Sequence, residues 1–319
     1  MFNGDAFPDR VDRTDVRHVE TLTSALRALD REYGGGACRD ACVAVLNWAT
    51  PLLDAGSVGR APHRLQVAIA DLHNLAGWAS FDMGLLESAH LHFGRAMGLA
   101  RASGNCALEA NIHYRMGRVH LHHELAEDAL ASFRRGLPIA RDSGSTLAMS
   151  ILHANEAWAL AKLGAERQAL RQFACAEDEF ARARTEDAPP WARFFDLADL
   201  VSIGGMVHTE LARTCDVRYA RSAIPLLTKA ISSGGEDTSR SQSFRLAALA
   251  MNHLVRNEPE QALEVGEQAI AVSGPIRSAR TRDRMRPLEQ EAVRLRGNEA
   301  ADQLASSLGR FMTSSQGAA

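Results

Sequence analysis

Between His73 and Ala176, apolar and polar positions recur in three blocks offset by forty residues. His73, His113 and His153 fall in step, followed by Ala89, Ala129 and Ala169, then Phe93, Phe133 and Phe173, then Ala96, Gly136 and Ala176. Within each block apolar residues return every three or four positions in two runs separated by a short polar break, the pattern of a helix pair. The first block carries Leu65, Ile69, Leu72, Leu75 and Ala76 before a break at Asp82-Met83-Gly84, then Ala89, Phe93, Ala96, Met97 and Ala100. The second breaks at His123-Glu124 and the third at Gly164. A fixed period of this length, with two helices per period, marks a stacked helical repeat in which each unit buries its apolar faces against its neighbours.

The flanking chain extends that pattern with less regularity. Residues 1–15 are polar and turn-rich and are expected to be disordered. Residues 16–62 form an N-terminal helical cap: one helix capped by Thr14 or Asp15 and ended by Gly34-Gly35-Gly36, and a second from Arg39 to Leu53. The repeats span residues 63–274. Pro189-Pro190 interrupts them, and a long helix is expected to open at Trp191-Ala192-Arg193 and run to Thr214. Further helix pairs follow, joining that helix to Tyr219–Ser232 and Ser241–Arg256 to Pro259–Val272. Residues 275–312 alternate arginine and acid, reading as capping helices whose Arg277, Arg280, Arg282, Arg284 and Arg286 form a solvated outer face; residues 313–319 read as a disordered tail.

Composition narrows the function classes. The chain has 319 residues, 46% apolar but only 6% aromatic, which favours many thin helix contacts over one thick core. A net charge of −3 provides no electrostatic footprint for wrapping nucleic acid. No apolar run approaches membrane-spanning length and no signal peptide is evident, so no membrane partner and a cytoplasmic location are expected. The five cysteines are scattered; Cys38 and Cys42, one turn apart, read as buried small residues.

The small residue within each first helix (Gly77, Gly117, Ala157) and the Ala–aromatic–small series of each second helix resemble the tetratricopeptide repeat (TPR) pattern. The fold expected is therefore all-α, a right-handed α-solenoid of about five TPR-like helix pairs with helical caps. Longer motifs narrow the resemblance. Tyr33-Gly34-Gly35-Gly36-Ala37-Cys38-Arg39-Asp40, Leu72-His73-Asn74-Leu75-Ala76-Gly77-Trp78, Asn155-Glu156-Ala157-Trp158-Ala159 and Pro189-Pro190-Trp191-Ala192-Arg193-Phe194-Phe195-Asp196 resemble the sensor region of actinobacterial helix-turn-helix transcription regulators, from Thr14 to Pro287. That resemblance implies a regulatory module, similar in layout to peptide-sensing TPR regulators that are often homodimers. In that family the repeats follow an N-terminal DNA-binding domain. Here 15 residues precede the first predicted helix, and direct DNA binding is not expected.

In a curved helical stack the first helix of each pair lines the concave side. Asn74, Trp78, Tyr114, Arg118 and Trp158 lie one or five positions after the in-step histidines and are assigned to that groove; Asn155, Arg193 and His208 complete the candidate set. Amide, aromatic and guanidinium groups together suit a peptide: amides for its backbone, aromatics for side chains, Arg118 for a carboxylate. The alternative for Trp78 and Trp158 is simple packing between repeats. On the groove reading, Arg118→Ala and Trp158→Ala abolish partner capture while leaving melting unchanged. His120 and His123 share a helical face and are weak metal candidates, but no HExxH or comparable spacing accompanies them, and no cofactor is expected. The function expected is a regulatory or sensor module binding a peptide or protein partner, and not an enzyme. The alternative is an enzyme or accessory protein of a natural-product or modification pathway, using histidines and acids in the groove.

Overall fold

A computed structural model describes residues 10–54, 56–57, 61–233, 239–274, 276 and 278–314. Residues 1–9 and 315–319, expected to be disordered, lie outside the described residues. Among those described the chain is all-helical apart from one two-residue parallel pairing, β1 (Arg10–Val11) with β2 (Gly56–Ser57). Residues 10–15 thus depart from the expected disorder. Helix α1 (Arg13–Tyr33) starts earlier than expected because Asp12, not Thr14 or Asp15, caps it: its carboxylate accepts from the Thr14 and Asp15 amides, and Asp15 returns the contact to the Asp12 amide. Helix α2 (Arg39–Ala49) follows a short turn, and Cys38 and Cys42 are buried there.

The regular part comprises α3 (Ala61–Asp82), α4 (Leu86–Ala102), α5 (Cys106–His122), α6 (Ala126–Asp142), α7 (Thr146–Lys162) and α8 (Glu166–Ala181). The residues that end α3 to α7 adopt left-handed backbone at Gly84, Gly104, Glu124, Gly144 and Gly164, one every twenty residues. Left-handed backbone costs an L-residue about 1–2 kcal/mol, so four of the five positions are glycine and Glu124 is the exception. Half of the forty-residue period is therefore one helix plus one identical turn.

The in-step small and aromatic residues meet inside each pair. A methyl placed on Gly117 would lie 2.7 Å from Cδ1 of Phe133, and one on Gly77 would lie 2.8 Å from Phe93. Only glycine lets these rings lie flat against the facing helix. Phe173 departs from the series, because its ring fills the space beside Gly204 in the following helix. The in-step histidines also turn toward their own partner helices: His73 Nδ1 is 3.0 Å from His92 Nδ1, and His153 Nδ1 is 2.7 Å from Gln172 Oε1, each nineteen positions on.

Helix α9 (Leu197–Thr214) begins six residues later than expected. Asp196 caps it by accepting from the Asp199 amide, while 191–194 form a turn whose Trp191 carbonyl accepts from Asn111. The chain continues through α10 (Ala220–Ser232), α11 (Ser239–Val255), α12 (Pro259–Ser273), α13 (Ala279–Arg294) and α14 (Glu299–Ser314). Neighbours pack pairwise: α3 on α4, α5 on α6, α7 on α8, α9 on α10, α11 on α12 and α13 on α14. The first members also touch in series from α3 through α5, α7, α9 and α11 to α13, and α13 comes back onto α3. The inner layer thus closes on itself. No described helix is long and apolar enough to cross a membrane.

Candidate functional site

The closure is made by charge. Asp82, at the end of α3, is 0% exposed and accepts from the Gly35 amide at 3.0 Å and the Ser278 hydroxyl at 3.0 Å. Arg240 of α11 and Arg280 of α13 lie 3.3 and 3.2 Å from its carboxylate, and Arg240 also lies 3.6 Å from Asp30 of α1. Burial alone would raise the Asp82 pKa, but Arg240 and Arg280 hold it below the usual carboxylate range. The expected solvated face of α13 is therefore corrected at two positions: Arg280, at 5% exposure, and Arg284, one turn on, face inward. The sequence signal was ambiguous, because arginine is compatible with either side of a helix whose apolar residues (Met285, Leu288, Ala292) mark only the side facing its neighbours.

Behind this junction lies a cavity of about 230 Å³. Trp78, Tyr114, Arg118, Trp158 and Arg193 line it, so five of the eight candidate residues from α3, α5, α7 and the 191–194 turn come together. The two indoles are held alike. Trp78 has Arg115 at 5.4 Å and Arg280 at 4.6 Å from its ring; Trp158 has Arg118 at 5.0 Å and Arg284 at 4.7 Å. Each thus receives one guanidinium from α5 and one from α13, contacts contributing on the order of 0.5–2 kcal/mol when desolvated. Phe194 stacks on Tyr114 at 5.6 Å and completes the wall together with Trp191 and Phe244.

The remaining candidates stand behind or away from the cavity. Asn155, 0% exposed, accepts from Arg118 at 3.3 Å and donates to the Ile151 carbonyl, so it orients the arginine. Asn74 is buried, donating to Asn111, while its backbone carbonyl accepts from Arg115 at 2.6 Å. His208 stacks on Tyr219 at 5.6 Å, apart from the cavity lining. His120 lies near the His90 ring at 6.3 Å, whereas His123 packs against His122 and Phe81. Among the described residues no three metal-ligating side chains converge. Trp158 is only 3% exposed, which corrects the expectation that its truncation leaves melting unchanged: removing so large a buried side chain costs about 3–5 kcal/mol.

Charge is unevenly spent in this space. Among the described lining residues there are nine arginines against three aspartates, Asp30, Asp196 and Asp199. Arg27 pairs with Asp71 at 2.6 Å and Arg245 with Asp199 at 3.2 Å. Arg115, Arg118 and Arg284 have no carboxylate within 4 Å among the described residues. Burial, and then the neighbouring Arg118 and Arg280, push Arg284 down to about 9; burial and Arg27 push Arg115 down to about 10. Asp199 is pushed up to about 6 by burial and by Asp196. Donor atoms of the lining residues that are buried without an acceptor include Trp158 Nε1, Arg27 Nε and Arg284 Nε. Arg115, Arg280, Arg284, Phe194 and Phe244 were not anticipated. The pairings Arg115/Arg118 and Arg280/Arg284, three and four apart, are the periodicity that places each pair on one helix face. Compared with known proteins, the chain matches no family model and no curated protein.

Proposed function

We propose that this chain is a ligand-binding regulatory module of the tetratricopeptide kind, a right-handed stack whose inner cavity receives the regulating ligand. The observation that carries this reading is the convergence of Trp78, Tyr114, Arg118, Trp158 and Arg193, from four separate segments, on one cavity with an uncompensated cationic wall. Recurring left-handed turns every twenty residues and the Gly117–Phe133 type of contact support the repeat assignment. The occupant expected from sequence was a peptide or partner protein in an open groove. With α13 in place, the space admits a compact ligand or the end of a chain, because about 230 Å³ lies below the roughly 300–1,000 Å³ of pockets that enclose drug-sized molecules. Binding would act through the α3–α13 closure, shifting the balance between closed and opened inner layers without chemistry. A regulatory role, in transcription or in a biosynthetic pathway, and a homodimeric state belong to the same proposal.

The lining offers no histidine among the described residues, and Asp199 is engaged by Arg245 while Asp196 caps α9. That composition favours binding over acid–base catalysis. The test is ligand retention, followed by native mass spectrometry of the purified chain and of its Arg118→Ala and Trp158→Phe variants. Both variants are expected to keep their helicity and lose the bound species; undiminished retention in both removes the cavity as the binding site.

A further inference from the structure

We infer that the ligand of this cavity is a compact organic phosphate, a single ring or short chain ending in a dianionic phosphoryl group held by Arg115, Arg118 and Arg284. The inference rests on the reading that the cavity is the binding site and goes on to name what fits it.

The argument begins with charge. The whole chain is acidic, at −3, yet nine arginines and three aspartates line this one space among the described residues. Asp71 and Asp82 pair with lining arginines from just outside, and Arg115, Arg118 and Arg284 still have no carboxylate within 4 Å among the described residues. Like charges gathered in a place of low dielectric repel strongly, so an arrangement of this sort is relieved by an arriving anion. Burial first, and then the neighbouring guanidiniums, depress the basicity of Arg284 and Arg115.

The number and placement of the unpaired guanidiniums choose among anions. A carboxylate carries one charge and two oxygens, which one guanidinium fork can satisfy. Arg115, Arg118 and Arg284, three of the lining guanidiniums without acid partners, suffice for the three peripheral oxygens and double charge of a phosphoryl group. Arg118 is held in place by Asn155 and Arg115 by the Asn74 carbonyl, so both are oriented before a ligand arrives. Arg284 approaches from α13, and its contacts are rings, those of Trp158 and Phe244.

Size and wall chemistry set the remainder. Both indoles and Phe244 are already covered by guanidiniums, so the apolar surface left for a ligand is the stacked Tyr114–Phe194 pair. A cavity of about 230 Å³ accommodates one ring against that wall and is too small for a dinucleotide. A phosphorylated peptide would supply the same phosphoryl chemistry, but its flanking chain would need α13 displaced.

Titration calorimetry and thermal shift on the full chain at low salt decide the matter, with phenyl phosphate, inorganic phosphate, benzoate and phenol as probes. Phenyl phosphate is expected to bind about tenfold or more tightly than any of the other three, with affinity falling as salt rises. Arg284→Gln and Arg118→Gln should each weaken it about tenfold while keeping the helicity of the wild type. The exposed Arg310→Gln should change nothing. Benzoate or phenol binding as well as phenyl phosphate, or wild-type affinity in both arginine variants, overturns the assignment. So does tighter binding of a ten-residue phosphotyrosine peptide. If phenyl phosphate fails while the Arg118→Ala and Trp158→Phe variants still lose the species retained by wild type, the phosphate assignment falls and the cavity stands.

Discussion

Helices α4 to α7 and helix α13 are nearly equal in length, seventeen residues against sixteen, but they are held in place by opposite means. The first four sit by shape: alanine and glycine opposite phenylalanine, with a left-handed turn at each twenty-residue interval. One side of α13 is held in the same way by Met285, Leu288 and Ala292, while its inward side is fixed by an ion-pair junction at Asp82 and by guanidinium–indole contacts. Shape contacts of the first kind are local and repeat, so they build a stack of any length. The junction joins residues 158 and 196 positions apart and determines how the stack closes.

The strongest way to break the first mode is Phe133→Ala. The ring is fully buried against Gly117, and its loss should cost about 3–5 kcal/mol in urea unfolding monitored by circular dichroism. The second mode is broken by Asp82→Asn, expected to cost about 3 kcal/mol because it leaves Arg280 buried without its counterion and Arg240 with Asp30 alone. The two variants should differ in kind as well as size. Phe133→Ala should lower stability at every pH, whereas the Asp82 contribution depends on ionisation. Its folded pKa is depressed, so that contribution is present above about pH 4 and is lost as pH falls through the folded value. Asp82→Asn should therefore flatten the acid limb of the stability curve.

A milder acid dependence arises in the regular region. Burial and His92 depress His73 to about 3, and burial depresses His122 to about 4 against the opposing effect of Asp283. A base whose folded pKa is lowered takes up its proton preferentially in the unfolded chain, so stability falls as pH drops below about 6.5. Each should contribute a loss of about 1–2 kcal/mol between pH 6.5 and 5, and His73→Gln should remove its share from the measured slope. The smallest effect concerns the turns. Glu124→Gly relieves left-handed backbone at a non-glycine residue but gives up the contact with Lys162 at 2.7 Å, leaving an expected gain of about 0.5 kcal/mol, read as a small rise in melting temperature.

The same contrast explains what could be read from the sequence. His73, Ala129 and Phe133 advertise themselves because their contacts lie within one period, so the helix pairs and their turns followed from spacing alone. The same register assigns Trp78, Tyr114, Arg118 and Trp158 to the inner face, and these four line one cavity together with Arg193, which the register does not reach. Helix α9 starts at Leu197 rather than at Trp191 because Asp196 outcompetes the proline signal as a cap. The alternation of arginine and acid puts Arg280 and Arg284 on the outside, because nothing local distinguishes a guanidinium in water from one facing Asp82 or Trp158. Their partners lie far away in sequence, and only the packing of α13 onto α3 brings them together.

The return of α13 to α3 makes the molecule a gauge of its own repeat number. An open stack tolerates duplication or deletion of a forty-residue unit, since each copy asks only for a neighbour. Here an added or missing pair would carry Ser278 and Arg280 out of reach of Asp82 and strand a buried carboxylate. Growth by duplication, the ordinary route for repeat proteins, is closed to this chain unless the junction is given up first.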